Sequence, residues 1–270
     1  MSRIAVIGLV GKTVFMEVPR FHSGGETIHA TGIHEEWGGK GFNQVVAAAR
    51  QGAETSFLGA CAEADAEAIA DFCRSENIRA VMCGEPEPTA YAAILTDGTG
   101  ETRVTVYPGA RLSAEDVERF ADEIATADFL LINNEVPEGV NLRAVEIAAA
   151  NGVKVIYNPA PARPLPEALK RAVSIFTPNE FEESGLGEVE CEVITTLGSK
   201  GCRIRSTGEL IPPVSCGPAV DSTGAGDTFN AVLAVRLSEG ETLESACRAA
   251  NAAAGYSVTI RYVLPSLPRR

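Results

Sequence analysis

The sequence has no run of four basic residues and no apolar stretch approaching the roughly 20 residues that a membrane span needs. With a formal net charge of −13 over 270 residues, this argues against nucleic acid or an anionic membrane as the main partner, so any anion needs a local cradle. C-x-x-C pairs are also missing. The seven cysteines (Cys61, Cys73, Cys83, Cys191, Cys202, Cys216 and Cys247) are odd in number, which favours reduced thiols over zinc or a disulfide framework. The three histidines, His22, His29 and His34, share one polar segment without ligand spacing and read as surface residues. The chain enters a strand-like run directly, without a signal-peptide layout, and a cytoplasmic protein is the expectation. A P-loop is lacking too. Gly11-Lys12-Thr13 has the ending of one, but Val6 stands where its first glycine belongs and Gly8 is too close for the loop to wrap a phosphate.

What is present is an alternation of strands and helices. Continuous apolar runs of strand length lie at 3–9, 54–60, 78–83, 128–133, 153–157, 173–176 and 192–197, as expected where both faces of a parallel strand are covered. Helical patterns fill 41–52, 64–77, 113–125, 138–151, 226–238 and 242–257. The third shows its start in Ser113 as N-cap with Asp116 three positions on. The order predicts an α/β fold, a doubly wound, mostly parallel sheet flanked by helices. Two β-rich segments, about 12–36 and 87–108, interrupt it. "TAYAAILTD" and "ETRVTVYPG" joined by "GTG" read as a hairpin, and the two excursions could meet as a small β-sheet lid whose apolar face also suits a second subunit. No linker or repeat divides the chain, so residues 1–270 read as one domain.

Chemistry concentrates in three stretches. In "DSTGAGDTFNAVLAVRL" (221–237), Gly224-Ala225-Gly226 sits at the start of a helix, where free amides and the positive dipole end favour an anion. Asp227 follows at once. Alone it reads as a capping aspartate, but a cap does not need paired glycines, and these favour a general base beside a held phosphoryl group. In "WGGKGFNQVVAAARQGA" (37–53), Gly38, Gly39 and Gly41 permit close approach of backbone to a ligand, and Asn43 offers a donor and an acceptor; a flexible helix entry with a solvated Lys40 is an equal reading. In "NPAPARPLP" and "FTPNEFEE" (158–183), Asn179 and Glu182 form either a capping box or a polar ligand contact.

Taken in order, "GGKGFNQ", "NPAPAR", "TPNEFEE", "TTLGSKG" and "DSTGAGDTFN" resemble the motifs of the ribokinase-like (PfkB) carbohydrate kinases over nearly the whole chain. That resemblance implies a doubly wound sheet with a β lid that often forms a dimer interface, and transfer of the γ-phosphoryl group of ATP to a sugar hydroxyl. By position, Asp227 would be the base and Gly224, Ala225 and Gly226 the anion hole. Gly39, Lys40, Asn43 and Glu135 would face the sugar. Asn179, Thr196, Gly198, Ser199, Gly201 and Asn251 would line the ATP site. Glu182 would look after Mg²⁺ and its waters, and Asp221, Thr223 and Ser266 would surround an activating monovalent cation such as K⁺. ATP and a small sugar-like molecule are then the partners. A nucleoside or vitamin kinase of the same fold, or a silent sugar- or nucleotide-binding relative, is the alternative.

Two departures stand out. Where ribokinases carry Gly-x-x-Asn-x-Asp to hold sugar hydroxyls, this chain has Gly11 and Thr13 after Gly8, with Lys12 between them. The chain is also short between Glu183 and Val193, where the family usually has another helix. The first departure makes D-ribose a poor expected substrate, and Lys12 either offers a cation to an anionic sugar or points to solvent.

Overall fold

Residues 2–270 are described by the computed structural model. The chain opens with β1 (Arg3–Ile7), β2 (Gly11–Glu17), β3 (Gly32–Gly38) and α1 (Lys40–Arg50), then β4 (Glu54–Ala62), α2 (Ala66–Ser75), β5 (Ile78–Glu85), β6 (Ala90–Thr96) and β7 (Thr102–Tyr107). Two short helices follow, α3 (Ala114–Glu118) and α4 (Ala121–Ala125), then β8 (Phe129–Asn133), α5 (Glu138–Ala150), β9 (Lys154–Asn158), α6 (Glu167–Ala172), β10 (Ile175–Phe176) and α7 (Glu180–Leu186). The last part holds β11 (Glu192–Thr196), β12 (Cys202–Ile204), β13 (Leu210–Ile211), α8 (Ala225–Ser238), α9 (Leu243–Ser257) and α10 (Val263–Ser266).

Nine strands form the main sheet in the order β13-β12-β11-β10-β9-β8-β1-β4-β5. From β11 to β5 all neighbours are parallel, and β12 and β13 close the other edge as antiparallel strands. Alternate side chains of β1 serve opposite layers. Ile4 and Val6 pack with Val45, Val232 and Ala250 of α1, α8 and α9, whereas Ala5 and Ile7 pack with Val140 and Ala144 of α5. Burial on both faces is what made these strands continuous apolar runs. Among the described residues no helix is long and apolar enough to cross a membrane.

The two β excursions do meet. They form a second sheet, β3-β2-β6-β7, in which β2 pairs antiparallel with β3 and parallel with β6. The expected hairpin joins β6 to β7, with Gly100 N donating to Asp97 O at 3.0 Å. Gly11-Lys12-Thr13 opens β2, so it is a strand of this lid and not a phosphate loop.

The expectation of one helix over 113–125 needs correction. The Ser113–Asp116 capping box forms, but Arg119 N and Phe120 N bond three residues back, to Asp116 O and Val117 O, so the helix tightens and breaks into α3 and α4. That turn carries Phe120 into full burial beside Val117 and Ile124.

Candidate active site

From β1 the chain proceeds to β4 and β5 on one side, and the later strands β8 to β11 lie on the other. The order therefore reverses between β1 and β8, and the crevice beyond the carboxyl ends of strands at such a reversal is where open α/β sheets bind ligands. The lid covers this crevice. A cavity of about 310 Å³ lies there, and its lining includes Gly11, Thr13, Gly39, Lys40, Asn43, Glu135, Thr223, Gly224 and Asp227.

The glycines before α1 have a steric cause. A Cβ on Gly41 would lie 2.6 Å from the Cα of Gly8, and one on Gly39, at φ 110°, would lie 2.4 Å from Leu9 O. The helix therefore starts in backbone contact with the end of β1, and its first turn aims Asn43 and Gln44 across the crevice. Asn43 Nδ2 donates to Asp227 Oδ2 at 2.8 Å and Gln44 Nε2 to Asp227 Oδ1 at 3.2 Å. The capping reading of Asp227 fails on this geometry. The N-cap of α8 is Gly224, which is left-handed at φ 77°, and no side chain caps the helix. The carboxylate is turned instead toward the neighbouring helix. Asn43 Oδ1 is buried without a partner, an acceptor left for a hydroxyl.

Three charges meet here. Burial pushes the Asp227 carboxyl up, while the Lys40 charge and the two amide bonds oppose the shift. Burial also raises Glu135, to about 7, against the pull of Lys40 and with a further push from Asp227. Lys40 is raised in turn, chiefly by Asp227, with Glu135 and Glu182 adding to it. Glu135 Oε2 accepts the Lys40 backbone N–H at 2.7 Å, so the loop after β8 is tied to the first turn of α1.

Behind Asp227, the first helical bond of α8 runs from Thr228 N to Gly224 O, and the amides at the helix start lack intrahelical acceptors. A Cβ on Gly226 would meet nothing within 4 Å, whereas one on Gly224 would strike Val263 Cγ1 at 2.5 Å. The loop is open on its ligand side and held tightly on its protein side.

The lid presents an apolar underside. Phe15, Ala92, Ile94, Val104 and Val106 line the cavity, with Thr13 the polar exception on β2's inward face. Lys12 alternates away from Thr13. Its side chain is half-exposed at the edge of the cavity, and its ammonium pairs with Asp65 at 2.8 Å and lies 5.8 Å from the Trp37 ring centroid, so the cation is present there but already has a carboxylate partner. His34 is a further correction. Its ring stacks on Tyr262 with centroids 3.9 Å apart and meets Glu36 Oε2 at 3.1 Å, because β3 lies against the segment entering α10. Glu36 also accepts from Val263 N at 2.9 Å.

The residues expected around the nucleotide lie farther along the sheet. Asn179 and Thr196 bridge as neighbours, and Gly198, Ser199 and Gly201 form the turn after β11. Asn179 and Glu182 form the capping box on α7, with bonds of 2.8 and 2.9 Å. Asn251 Nδ2 donates to Ile211 O and Pro212 O, both at 3.1 Å, so its amide secures the strand edge. Asp221 accepts from Thr223 N at 2.9 Å and Tyr262 N at 3.0 Å, and the buried Ser266 hydroxyl donates to Val263 O at 2.8 Å. Both keep free oxygen lone pairs. Among the described residues no group of three or more His, Cys, Asp or Glu side chains could hold a metal ion, so a cation in this region needs hydroxyl and carbonyl oxygens as well, the donors that suit a hard ion.

The pfkB family carbohydrate kinase model matches residues 1–270. The chain belongs to that family. It is 34% identical to the ribokinase of Haemophilus influenzae over 294 aligned positions, covering 99% of this chain and 95% of that protein. Its structure is similar to ribokinase from Giardia lamblia, with a TM-score of 0.88 and 27% identity over 100% of this chain and 96% of that one. It is also similar to Arabidopsis thaliana ribokinase complexed with ribose and ATP, with a TM-score of 0.85 and 28% identity over 100% and 96%. This pfkB protein is thus an ATP-dependent carbohydrate kinase.

Sequence reasoning missed Gln44 and Glu36. Gln44 lies inside "GGKGFNQ", one residue past Asn43, and helical geometry turns both toward α8. Glu36 carries no motif, and only the β2–β3 register, which sets it opposite Thr13, brings it to the cavity wall.

Proposed function

We propose that this kinase acts through Asp227 as general base and the Gly224–Gly226 loop as anion hole, on a sugar-like acceptor other than D-ribose. The observation that carries the reading is the position of Asp227, a buried carboxylate in the lidded cavity that is held by α1 and stands at the start of its own helix, where the Ala225 amide donates to Ser222 O and the next amides lack intrahelical acceptors. Burial raises its proton affinity, which suits a group that must take a hydroxyl proton at neutral pH. The acceptor oxygen loses its proton to Asp227 and bonds to the γ-phosphorus as the bond to the ADP oxygen breaks. Charge developing on the transferred group then faces the α8 amides and dipole.

Asn43 Oδ1, Lys40 and Glu135 orient the acceptor, and Gly39 lets it approach the backbone. Asn179, Thr196, Gly198, Ser199 and Gly201 form the nucleotide side, with Asn251 bracing the strand edge behind them. Glu182 has one carboxylate oxygen on the Asn179 amide and the other free, enough to hold water of a Mg²⁺ ion. Asp221, Thr223 and Ser266, with neighbouring carbonyls, would hold K⁺. When bound, Mg²⁺ supplies neutralisation of phosphate charge and K⁺ supplies polarisation of the loop before Gly224.

The lid is also the natural surface for a homodimer. Every residue of the edge strand β7 is exposed, Val104, Val106 and Tyr107 by more than half, and such an edge pairs readily with another chain.

The test is ADP release with ATP and a panel of pentoses, hexoses, sugar acids, sugar phosphates and nucleosides, with ³¹P NMR locating the new ester. A phosphorylated sugar product is expected. ATP hydrolysis without transfer to any acceptor would remove the reading. D-ribose should trail the best acceptor, because Gly11 offers no side chain and Thr13 only a neutral hydroxyl, each lost hydrogen bond costing roughly 0.5–3 kcal/mol.

A further inference from the structure

The geometry points to an anionic acceptor: a sugar phosphate or sugar acid whose charged group sits between Arg111 and Arg163. The inference rests on the kinase reading above and adds to it the substrate class.

A second cavity, of about 220 Å³, adjoins the first at the sheet reversal, and Leu9 and Glu135 belong to the walls of both. It is lined by Gly8 just after β1, Ala60 of β4, the turn after β8, and Pro108 with Ala110, Arg111 and Leu112, where the chain leaves the lid. Because Glu135 belongs to both walls, a molecule that contacts it and offers a hydroxyl to Asp227 has room to extend into this second cavity.

Arg111 and Arg163 line it, and Glu135 is its one acidic residue. Arg163 is fixed by neutral oxygens, its Nε donating to Asn134 Oδ1 and its Nη2 to Val136 O, both at 3.1 Å. These bonds orient the guanidinium and leave its charge uncompensated. The chain has 36 acidic and 23 basic residues, and its arginines find carboxylates almost everywhere. Among the described residues, fifteen of the eighteen arginines lie within 4.0 Å of a carboxylate oxygen, and Arg111, Arg163 and Arg171 are the three that do not. Two of those three meet in this one cavity. Two guanidiniums without carboxylate partners in the wall of one cavity match a planar or tetrahedral oxyanion, which takes charge-assisted, bidentate bonds from arginine.

The other end of the active site points the same way. Gly11, Thr13 and the apolar underside of the lid offer few partners to a polyhydroxylated ring, and Lys12, which also lines this cavity, is already paired with Asp65. Recognition is displaced from ring hydroxyls under the lid to a charge at the far end.

The experiment is steady-state kinetics with matched acceptors: neutral sugars, the same sugars carrying a phosphate monoester, and the corresponding aldonic and uronic acids. The best acceptor should be anionic, with kcat/KM at least about tenfold above its neutral counterpart, and the phosphate and carboxylate arms show which oxyanion is taken. Arg111→Gln should raise KM for that acceptor about 10- to 100-fold with little change in kcat, the range of one lost charge-assisted contact. Arg111→Lys should recover part of it, and added salt should raise KM in the parent enzyme. Arg111 is exposed, so these changes leave the core untouched.

A neutral sugar as best acceptor, with the anionic-to-neutral ratio unmoved by Arg111→Gln, overturns this inference and leaves the kinase reading standing. Absence of transfer to every acceptor strikes the kinase reading itself. Calorimetry with the same sugar phosphates and acids and a non-hydrolysable ATP analogue then decides the anion site, where no binding, or binding unchanged in Arg111→Gln, overturns it.

Discussion

Replacing Asp227 by asparagine separates catalysis from architecture. The carboxylate accepts one hydrogen bond from Asn43 and one from Gln44, and an amide can accept one of them only, turning its NH₂ toward the other donor. Asn43 can relieve this conflict, because its Oδ1 is buried and unpartnered and a rotation of its amide brings that oxygen to the new NH₂. Two bonds to a charged acceptor, about 1.5–3 kcal/mol each, become neutral bonds of about 0.5–1.5 kcal/mol each, a loss of about 2–3 kcal/mol. Against this, the variant is freed of the burial penalty that raises the Asp227 pKa. The expected net change in stability is within about 2 kcal/mol, or a Tm shift below about 8 °C for a chain of this size. Turnover should fall by about 10²- to 10⁴-fold, equivalent to about 2.7–5.4 kcal/mol of barrier. Thermal unfolding, ATP titration calorimetry and ADP release measured on one preparation provide the comparison. A Tm loss above about 15 °C, or a kcat within tenfold of the parent enzyme, would show Asp227 to be a structural residue and refute the argument.

Gly224→Ala must place a Cβ at φ 77° and 2.5 Å from Val263 Cγ1, so a loss of about 2–4 kcal/mol in denaturant unfolding is expected together with a larger drop in kcat; unchanged stability would mean that the loop yields freely. The folded Glu135 carboxyl titrates near 7 against an ordinary value of 4.5. The native state therefore holds more protons than the unfolded chain between those values, and stability declines as pH rises from about 4.5 to 7, then levels. Glu135→Gln should flatten that slope in a pH series of unfolding midpoints, and a slope that persists points to other groups. If Asp221, Thr223 and Ser266 hold K⁺, kcat in KCl should exceed that in a bulky organic cation salt by about tenfold or more through better ordered amides, and equal rates would leave that pocket of oxygens without a cation role.

The sheet was legible in the sequence because strands buried on both faces leave a simple record: the runs at 54–60 and 128–133 correspond to β4 and β8 within two residues. The break at Phe120 was not legible, since the spacing of Val117, Phe120 and Ile124 fits a continuous helix and only core packing decides the tighter turn. Within the site, the glycines at 39, 41 and 224 announced close approaches before any neighbour was known. Which neighbour each one meets belongs to tertiary structure, and so did the fate of Lys12, which depends on the strand alternation of β2 and on Asp65 arriving from the segment after β4. Arg111 and Arg163 carried no local signal, because an arginine without a partner is recognised only once every other arginine has been given one.

The bonds that hold Asp227 join residues 184 and 183 positions apart. Loop closure of that length yields no reward until nearly all the intervening chain has been ordered. The parallel strands β1, β4 and β5 can associate from the first third of the sequence, whereas the base and its two amide partners come together only when α8 docks on α1. On the ribosome, the chain is therefore inert until α8 has emerged and docked. Catalytic competence is in this sense a late event, acquired in one step by a scaffold that is already largely formed.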